Sequence, residues 1–485
     1  MSDSQSPTEA QPQVAYGIKY TPADADLAFE APTWTGLAAW NDTRFIRLTW
    51  VDISSVIRCK VLTLKHFRTL ASKSPNGVPT TTLATASLGL VGRTLVDGFS
   101  VAGDYLFEVD LSSLRLLPCT PGHAIVFGWL KPVNIGPVPQ LADPFCPRTI
   151  LRNIIEEALA RGLTFLVGFE LEFTLLKDRN GTVVLDDHDW STSSSIHSGA
   201  PLEILDAMVT ALERGGIAVH SFRAEAGPGQ YKIVTGPLQP LQAADALSFS
   251  RDVIRGTASG YQRRATFAPW IYGHKYGNGL HTHVSIHSPS ASEGEISPLA
   301  PTLNPLEAIF LQSLLDNLGG ICAFSMPTSL SYERTDEYIH GLGQQIWGPG
   351  KHVCWGTHHR QVPIRLCGPP GAHKFELRSV DATANPYLLL ASIVAAAIEG
   401  VDNQMSLTTS DSTVLLGQNA KTVALIPDEL PHSFQEAFRC LEEQDTMGKF
   451  FGECFIQAYR GVIEEVHQYL GSGGEGQFDK VVEMY

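Results

Sequence analysis

The sequence predicts a mixed fold of two domains, a small β-rich one up to about residue 140 and a larger one in which strands and helices interleave. Three observations carry this. At 485 residues the chain exceeds the usual size of one domain. From Thr43 the text alternates apolar and polar residues and is rich in β-branched types. Beyond residue 150, short apolar runs of strand length are separated by helical runs, which argues an α+β or α/β domain.

Residues 1 to about 30 carry Ser, Pro, Gln and Asp without a periodic apolar face and are expected to be a mobile extension without assigned function. FIRLTWVDISSVIRCKVLTL reads as a strand pair, followed by strand-like YLFEVDLSSLRLLP and HAIVFGWL. ADPFCPRTILRNIIEEALARGL has a proline and then an amphipathic helical run, a reasonable seam between domains. FLVGFELEFTLL, QYKIVTG, GLHTHVSIH and HKFELRSV are the later strand candidates. Helices are expected at PLEILDAMVTALERGG, ADALSFSRDVIRGTASGYQRR and NPYLLLASIVAAAIEGV. The last has Asn385 to cap it and Pro386 in its first turn, and is apolar on most faces, as a buried core helix would be. The expected boundaries are an extension over 1–30, a small domain over 31–142 and a large domain over 143–485.

A formal charge of -15 disfavours non-specific binding to nucleic acid or anionic membrane, both of which need basic surface. Small-molecule chemistry is favoured. The eight cysteines are scattered without a CxxC pair, and the first residues, MSDSQSPTEAQPQ, lack an apolar export signal. Reduced core thiols in a cytoplasmic protein are therefore expected, with no span of a bilayer.

Glu170 and Glu172 lie two apart in an apolar strand, so both carboxylates leave one face about 7 Å apart. Like charges on a buried face are costly unless a cation or donor compensates them. His281, His283, Ser285 and His287 form a polar row in the same way. Imidazoles tolerate magnesium or manganese when carboxylates complete the shell, and zinc is the competing reading of HxH. Glu376 and Arg378 share a third face, an acid for metal and a guanidinium for phosphate or carboxylate. Arg334, Arg360, Arg365 and Arg378 concentrate anion-binding donors in one region, while P-loop and dinucleotide fingerprints are missing. Glu225 precedes GPGQ, which by itself is a turn.

In order, VDISSVIRCK, GFELEF, EAGPGQYK, GNGLHTHVS, PTSLSYER, HHRQVPIR and FELRSVDATANPYLLLA resemble the successive motifs of glutamine synthetases. The texture of PTSLSYER followed by WGPGKHVCWGTHHR resembles the fungal FluG-type (type I-like) branch. This resemblance implies an α+β fold, a β-grasp N-terminal domain and a catalytic domain with a curved antiparallel sheet and surrounding helices, assembled as stacked homo-oligomeric rings. It implies Glu170, His281 and Glu376 as ligands of the Mg2+ or Mn2+ that holds the ATP phosphates, and Glu172 and Glu225 as two of three ligands of a substrate-side metal. Arg334 and Gly277 match substrate contacts, Arg360 and Arg365 phosphate contacts, Arg378 the arginine near the transferred phosphoryl group, and His283 and Ser285 nucleotide-side positions. Asp52 matches an aspartate that a neighbouring subunit contributes to deprotonate ammonium.

The implied activity is ATP-dependent ligation of a glutamate-like acid to ammonia or another amine through an acyl phosphate. Metal and arginine would spread the charge of phosphoryl transfer. Three departures stand out. The third ligand of the substrate-side metal is Lys232, and an ammonium cannot ligate a cation. His359 replaces an asparagine before Arg360, and the loop after Arg334 lacks the PGYE glutamate. Lys232 leads to the expectation of weak ammonia-dependent synthesis with nucleotide binding retained. The alternatives are that its ammonium serves in place of the missing cation, that it turns aside, or that the chain is a non-catalytic scaffold or sensor.

Overall fold

The computed structural model describes residues 18–23, 42–133, 145–177, 183–192, 199–271, 276–335, 350–413, 428–471 and 475–485. Of the expected extension, 1–17 and 24–30 lie outside the described residues, as do residues 336–349.

The first sheet opens with a hairpin, β1 (Phe45–Val51) against β2 (Ile57–Thr63). The helix Leu64–Lys73 follows, its first turn held by Thr63, whose hydroxyl accepts the His66 amide. Then come β3 (Thr80–Ala84), a separate small hairpin of β4 (Leu90–Val91) and β5 (Thr94–Leu95), β6 (Asp104–Val109), β7 (Arg115–Leu116) and β8 (His123–Pro132). The sheet order is β2-β1-β8-β6-β3, with β7 also on β8. β1 and β8 run parallel. A hairpin, a helix and a return strand parallel to the first make the β-grasp arrangement.

The second sheet is built from β9 (Thr164–Leu176), β10 (Val219–Ala224), β11 (Gln230–Thr235), β12 (Arg264–Thr266), β13 (Leu280–His287), β14 (Trp355–Thr357), β15 (Ile364–Cys367) and β16 (Lys374–Leu377). Its order is β10-β11-β9-β13-β16-β15-β14, with β12 also on β9. All pairs are antiparallel, as expected, except the edge pair of β14 with β15. β9 is central and buried along most of its length, which accounts for its near-continuous apolar text.

Helices surround this sheet. Pro386–Asp402 forms where expected, with the Asn385 side chain accepting the Tyr387 and Leu388 amides and almost every side chain buried. Pro147–Ala160 and Pro305–Asp316 pack on it. One continuous apolar core links both sheets, from Phe107 and Phe127 through Phe145 and Leu151 to Phe169 and Leu388. No single described helix is long and apolar enough to cross a membrane. All eight cysteines are free thiols, but only Cys146, Cys322 and Cys367 are buried. Cys59 and Cys454 are exposed, because each takes an outward position on an amphipathic element, so the expectation of core thiols fails for them.

Two polar joints tie small sheet to large. Arg148, at the start of Pro147–Ala160, bonds Asp110 (2.6 Å) and Asp245 (2.8 and 3.0 Å) and lies 3.9 Å over the Trp129 ring. The Tyr387 hydroxyl donates to the same Asp245 (2.6 Å). The second joint is the turn at Asp52–Ser55. Asn385 donates to the Asp52 carbonyl (2.8 Å) and Ser55 to the Ala384 carbonyl (2.9 Å).

Candidate active site

The register of the large sheet assembles the site. Lys232 on β11 faces Glu172 on β9 and Arg223 on β10. Glu170 on β9 faces His281 on β13, and Glu376 on β16 lies between His283 on β13 and Arg365 on β15. Because alternate side chains leave the same face, these pairs form one polar band crossing six adjacent strands. Along β13 the outward residues His283, Ser285 and His287 are half-buried while Val284 and Ile286 enter the core.

At one end of the band, Lys232 Nζ lies 2.9 Å from Glu170 Oε2, 2.9 Å from Glu172 Oε1 and 3.0 Å from Glu225 Oε1. It is 3% exposed, so the side chain does not turn aside. Burial alone would discharge the amine, but the three glutamates outweigh it and raise its pKa. Burial likewise opposes the charge of Glu172, and Lys232 overrides it, bringing the carboxyl down to about 2. Glu225 is fixed from behind by Arg223 Nε (2.9 Å), and its carbonyl faces His188 Nε2 (3.1 Å). His188 Nδ1 in turn meets Asp186, which also accepts the Tyr231 hydroxyl. The GPGQ turn places Glu225. Gly229 has φ +63°, and a Cβ there would lie 2.9 Å from the Leu175 carbonyl oxygen.

At the centre, Glu170, His281 and Glu376 bring donor atoms within 4.8 Å of one another, as His283, Cys367 and Glu376 also do. The first set fits a divalent cation. His281 Nδ1 is 3.3 Å from Glu170 and 3.4 Å from Glu376, and burial and then Arg378 keep this imidazole below its ordinary pKa, in the neutral form a ligand needs. Burial works against the charge of Glu170, and hydrogen bonds from His281 and His283, with Lys232 beside them, hold it well below the carboxylate range. Burial is again overcome at Glu376, where both imidazoles and Arg378 bring the carboxyl to about 2. Arg365 (2.6 Å) and Arg378 (2.7 Å) contact its two oxygens. The second set is less suited, because burial pushes the Cys367 thiol up to about 12 and so opposes the thiolate.

Beyond the carboxylates opens a cavity of about 700 Å³, walled by Glu170, His283, Ser285, His287, His373 and Lys374 together with Lys19 and Tyr20. Ser285 Oγ is bonded to His287 Nε2 (2.8 Å), and His283 Nε2 to Glu170 (3.0 Å). The Tyr20 ring stacks on His220 at 5.7 Å, so residues 18–20, within the stretch expected to be mobile, form part of this wall. On the other side, the Arg334 stem packs over Gly277, where a Cβ would come within 2.6 Å of Arg334 Cγ. Arg334 Nη2 donates to the Val380 carbonyl (3.2 Å), and the Gly279 amide donates to Glu172 (2.6 Å).

Arg360 is not brought to this cluster, and Asp52, expected to serve a neighbouring subunit, lies apart from it. Arg360 is exposed in the turn that joins β14 to the parallel β15. Asp52 is fully buried at the joint, its carboxylate taken by Arg58 (2.6 Å), Ser54 (2.7 Å) and the Val56 amide (2.9 Å). Sequence reasoning missed Arg223, His188, Asp186 and Tyr20. Only Arg223 left a signal, two residues before Glu225 and hence on its face of an extended segment.

A profile described as glutamine synthetase, catalytic domain, matches residues 144–472. Among curated proteins, the chain is 27% identical to Protein fluG of Emericella nidulans over 86% of its own length, spanning 46% of that protein. It is 27% identical to type-1 glutamine synthetase 1 of Dictyostelium discoideum, covering 91% of this chain and 90% of that one. It is 25% identical to glutamate–methylamine ligase of Methyloversatilis universalis, over 92% and 97%. Among solved structures, a GmaS/ADP complex superposes with a TM-score of 0.74 at 22% identity, over 92% and 98%, a likeness of fold. With the β-grasp sheet, the carboxylate band and the matched domain in agreement, the chain belongs to the glutamine synthetase family.

Proposed function

We propose that this protein is an ATP-dependent ligase that joins the side-chain carboxyl of glutamate, or a similar acid, to an amine through an acyl phosphate. The observation that carries the reading is the convergence of Glu170, His281 and Glu376 with Arg365 and Arg378 beside a cavity of nucleotide size. Glu170, His281 and Glu376 would hold one Mg2+ or Mn2+, which when bound neutralises phosphate charge and orients the transferred group. ATP occupies the cavity, with His283 and Ser285 on its wall. Arg334 and Gly277 receive the acid. A carboxylate oxygen of the acid attacks the γ-phosphorus and ADP leaves, while Arg365 and Arg378 spread the equatorial charge. The amine nitrogen then attacks the acyl carbon, phosphate departs and the amine gives up a proton.

Relatives described as glutamate–methylamine ligase, glutamate–isopropylamine ligase and gamma-glutamylpolyamine synthetase support an amine larger than ammonia. The assembly proposed is a stacked ring of copies, and the compartment the cytoplasm. The test is phosphate release from ATP and glutamate against ammonia, methylamine, isopropylamine and a polyamine. Release stimulated by at least one amine, with the matching γ-glutamyl amide found by mass spectrometry, is expected. ATP binding without release with any amine would overturn ligation in favour of a nucleotide-binding scaffold.

A further inference from the structure

We infer that the Lys232 ammonium permanently occupies the substrate-side metal position, so that this site works with one divalent ion where the family pattern calls for two. The inference rests on the ligase reading for its meaning, but the geometry that carries it is independent of turnover. The ammonium lies 2.9 to 3.0 Å from a carboxylate oxygen on each of Glu170, Glu172 and Glu225, donating a hydrogen bond to Glu170 and pairing with the other two. A divalent ion bound to Glu172 and Glu225 would lie roughly 2.1 Å from the same oxygens, inside the contact distance of the nitrogen. Ion and ammonium cannot share the position.

Charge leads to the same conclusion. Three carboxylates around a divalent ion sum to -1, and so do Glu172 and Glu225 around the Lys232 ammonium. The exchange of glutamate for lysine removes one negative charge and adds one positive, which is the charge of the ion it displaces. The arrangement is also rigid, since Lys232 lies within β11 between two paired strands and Arg223 closes over Glu225. Three carboxylates surround the ammonium, which leaves no room for an ion beside it. Lys232 is thus a positioning residue that holds Glu172 and Glu225 together, not a ligand for the acid.

The test counts Mn2+ bound per chain in the presence of ADP, by the electron paramagnetic resonance of free Mn2+, with no amine or turnover involved. The native protein should saturate at one ion, and K232E should bind two. K232Q, which removes the cation without adding a carboxylate, should exceed one ion at millimolar Mn2+ and serves if K232E fails to fold. Two ions in the native protein, or one ion in a folded K232E or K232Q, would overturn the inference. Absence of phosphate release with every amine would overturn the ligase reading and leave the ion count unaffected.

Discussion

Arg148 and Lys232 are both buried cations among carboxylates, yet they do different work. Arg148 shares Asp110 and Asp245 across the joint of the two sheets, lies on Trp129 and is sealed there. Lys232 meets three glutamates on one sheet face, and one of them, Glu170, also walls the open cavity and completes a metal triad. A planar guanidinium with fixed partners suits a joint, whereas a compact ammonium can occupy an ion's position. The difference teaches that the surroundings, more than the pairing, separate a structural cation from a functional one.

The comparison breaks if the two cations respond alike to removal. Arg148→Ala leaves Asp245 buried without its partner and should cost about 3–5 kcal/mol of stability, as loss of one member of a buried pair does. Added Mn2+ should not restore it. Lys232→Ala should also destabilise in metal-free buffer, but there Mn2+ can enter beside Glu172 and Glu225 and raise the melting temperature by mass action. Thermal unfolding of both variants with and without Mn2+ decides this, and equal responses would remove the distinction.

The next effect is on nucleotide. Glu376→Ala removes a triad member and uncovers Arg365 and Arg378, so Mg-ATP affinity measured by calorimetry should fall about 100-fold or more, roughly 2.7 kcal/mol. Unchanged affinity would deny the triad its role. The smallest concerns Asp52. Asp52→Asn weakens the charge-assisted bond to Arg58 and should cost about 1.5–3 kcal/mol or less, since Arg58 is partly exposed. If stability is unchanged while amine-dependent phosphate release collapses, Asp52 is the proton acceptor that the family resemblance implied and not a joint residue.

Much of the site was legible because a strand has a period of two. Glu170 with Glu172, and His281 with His283, declared a common face, and Lys232 stood out as a cation where a carboxylate was expected. What the sequence left open was where Lys232 points, which its register opposite Glu172 settles. The Arg148 joint was hidden, since its partners lie 38 and 97 residues away and no local pattern links them. Motif likeness also carries no information about Arg58, six residues on, closing over the Asp52 carboxylate. β14 and β15 are three and four residues long, too short for periodicity to register.

The most direct measurement is anomalous diffraction from crystals grown with Mn2+ and ADP. The account predicts a single manganese peak, between Glu170, His281 and Glu376, with Lys232 still in contact with Glu172 and Glu225. A second peak between Glu172 and Glu225, with the lysine displaced, would contradict it.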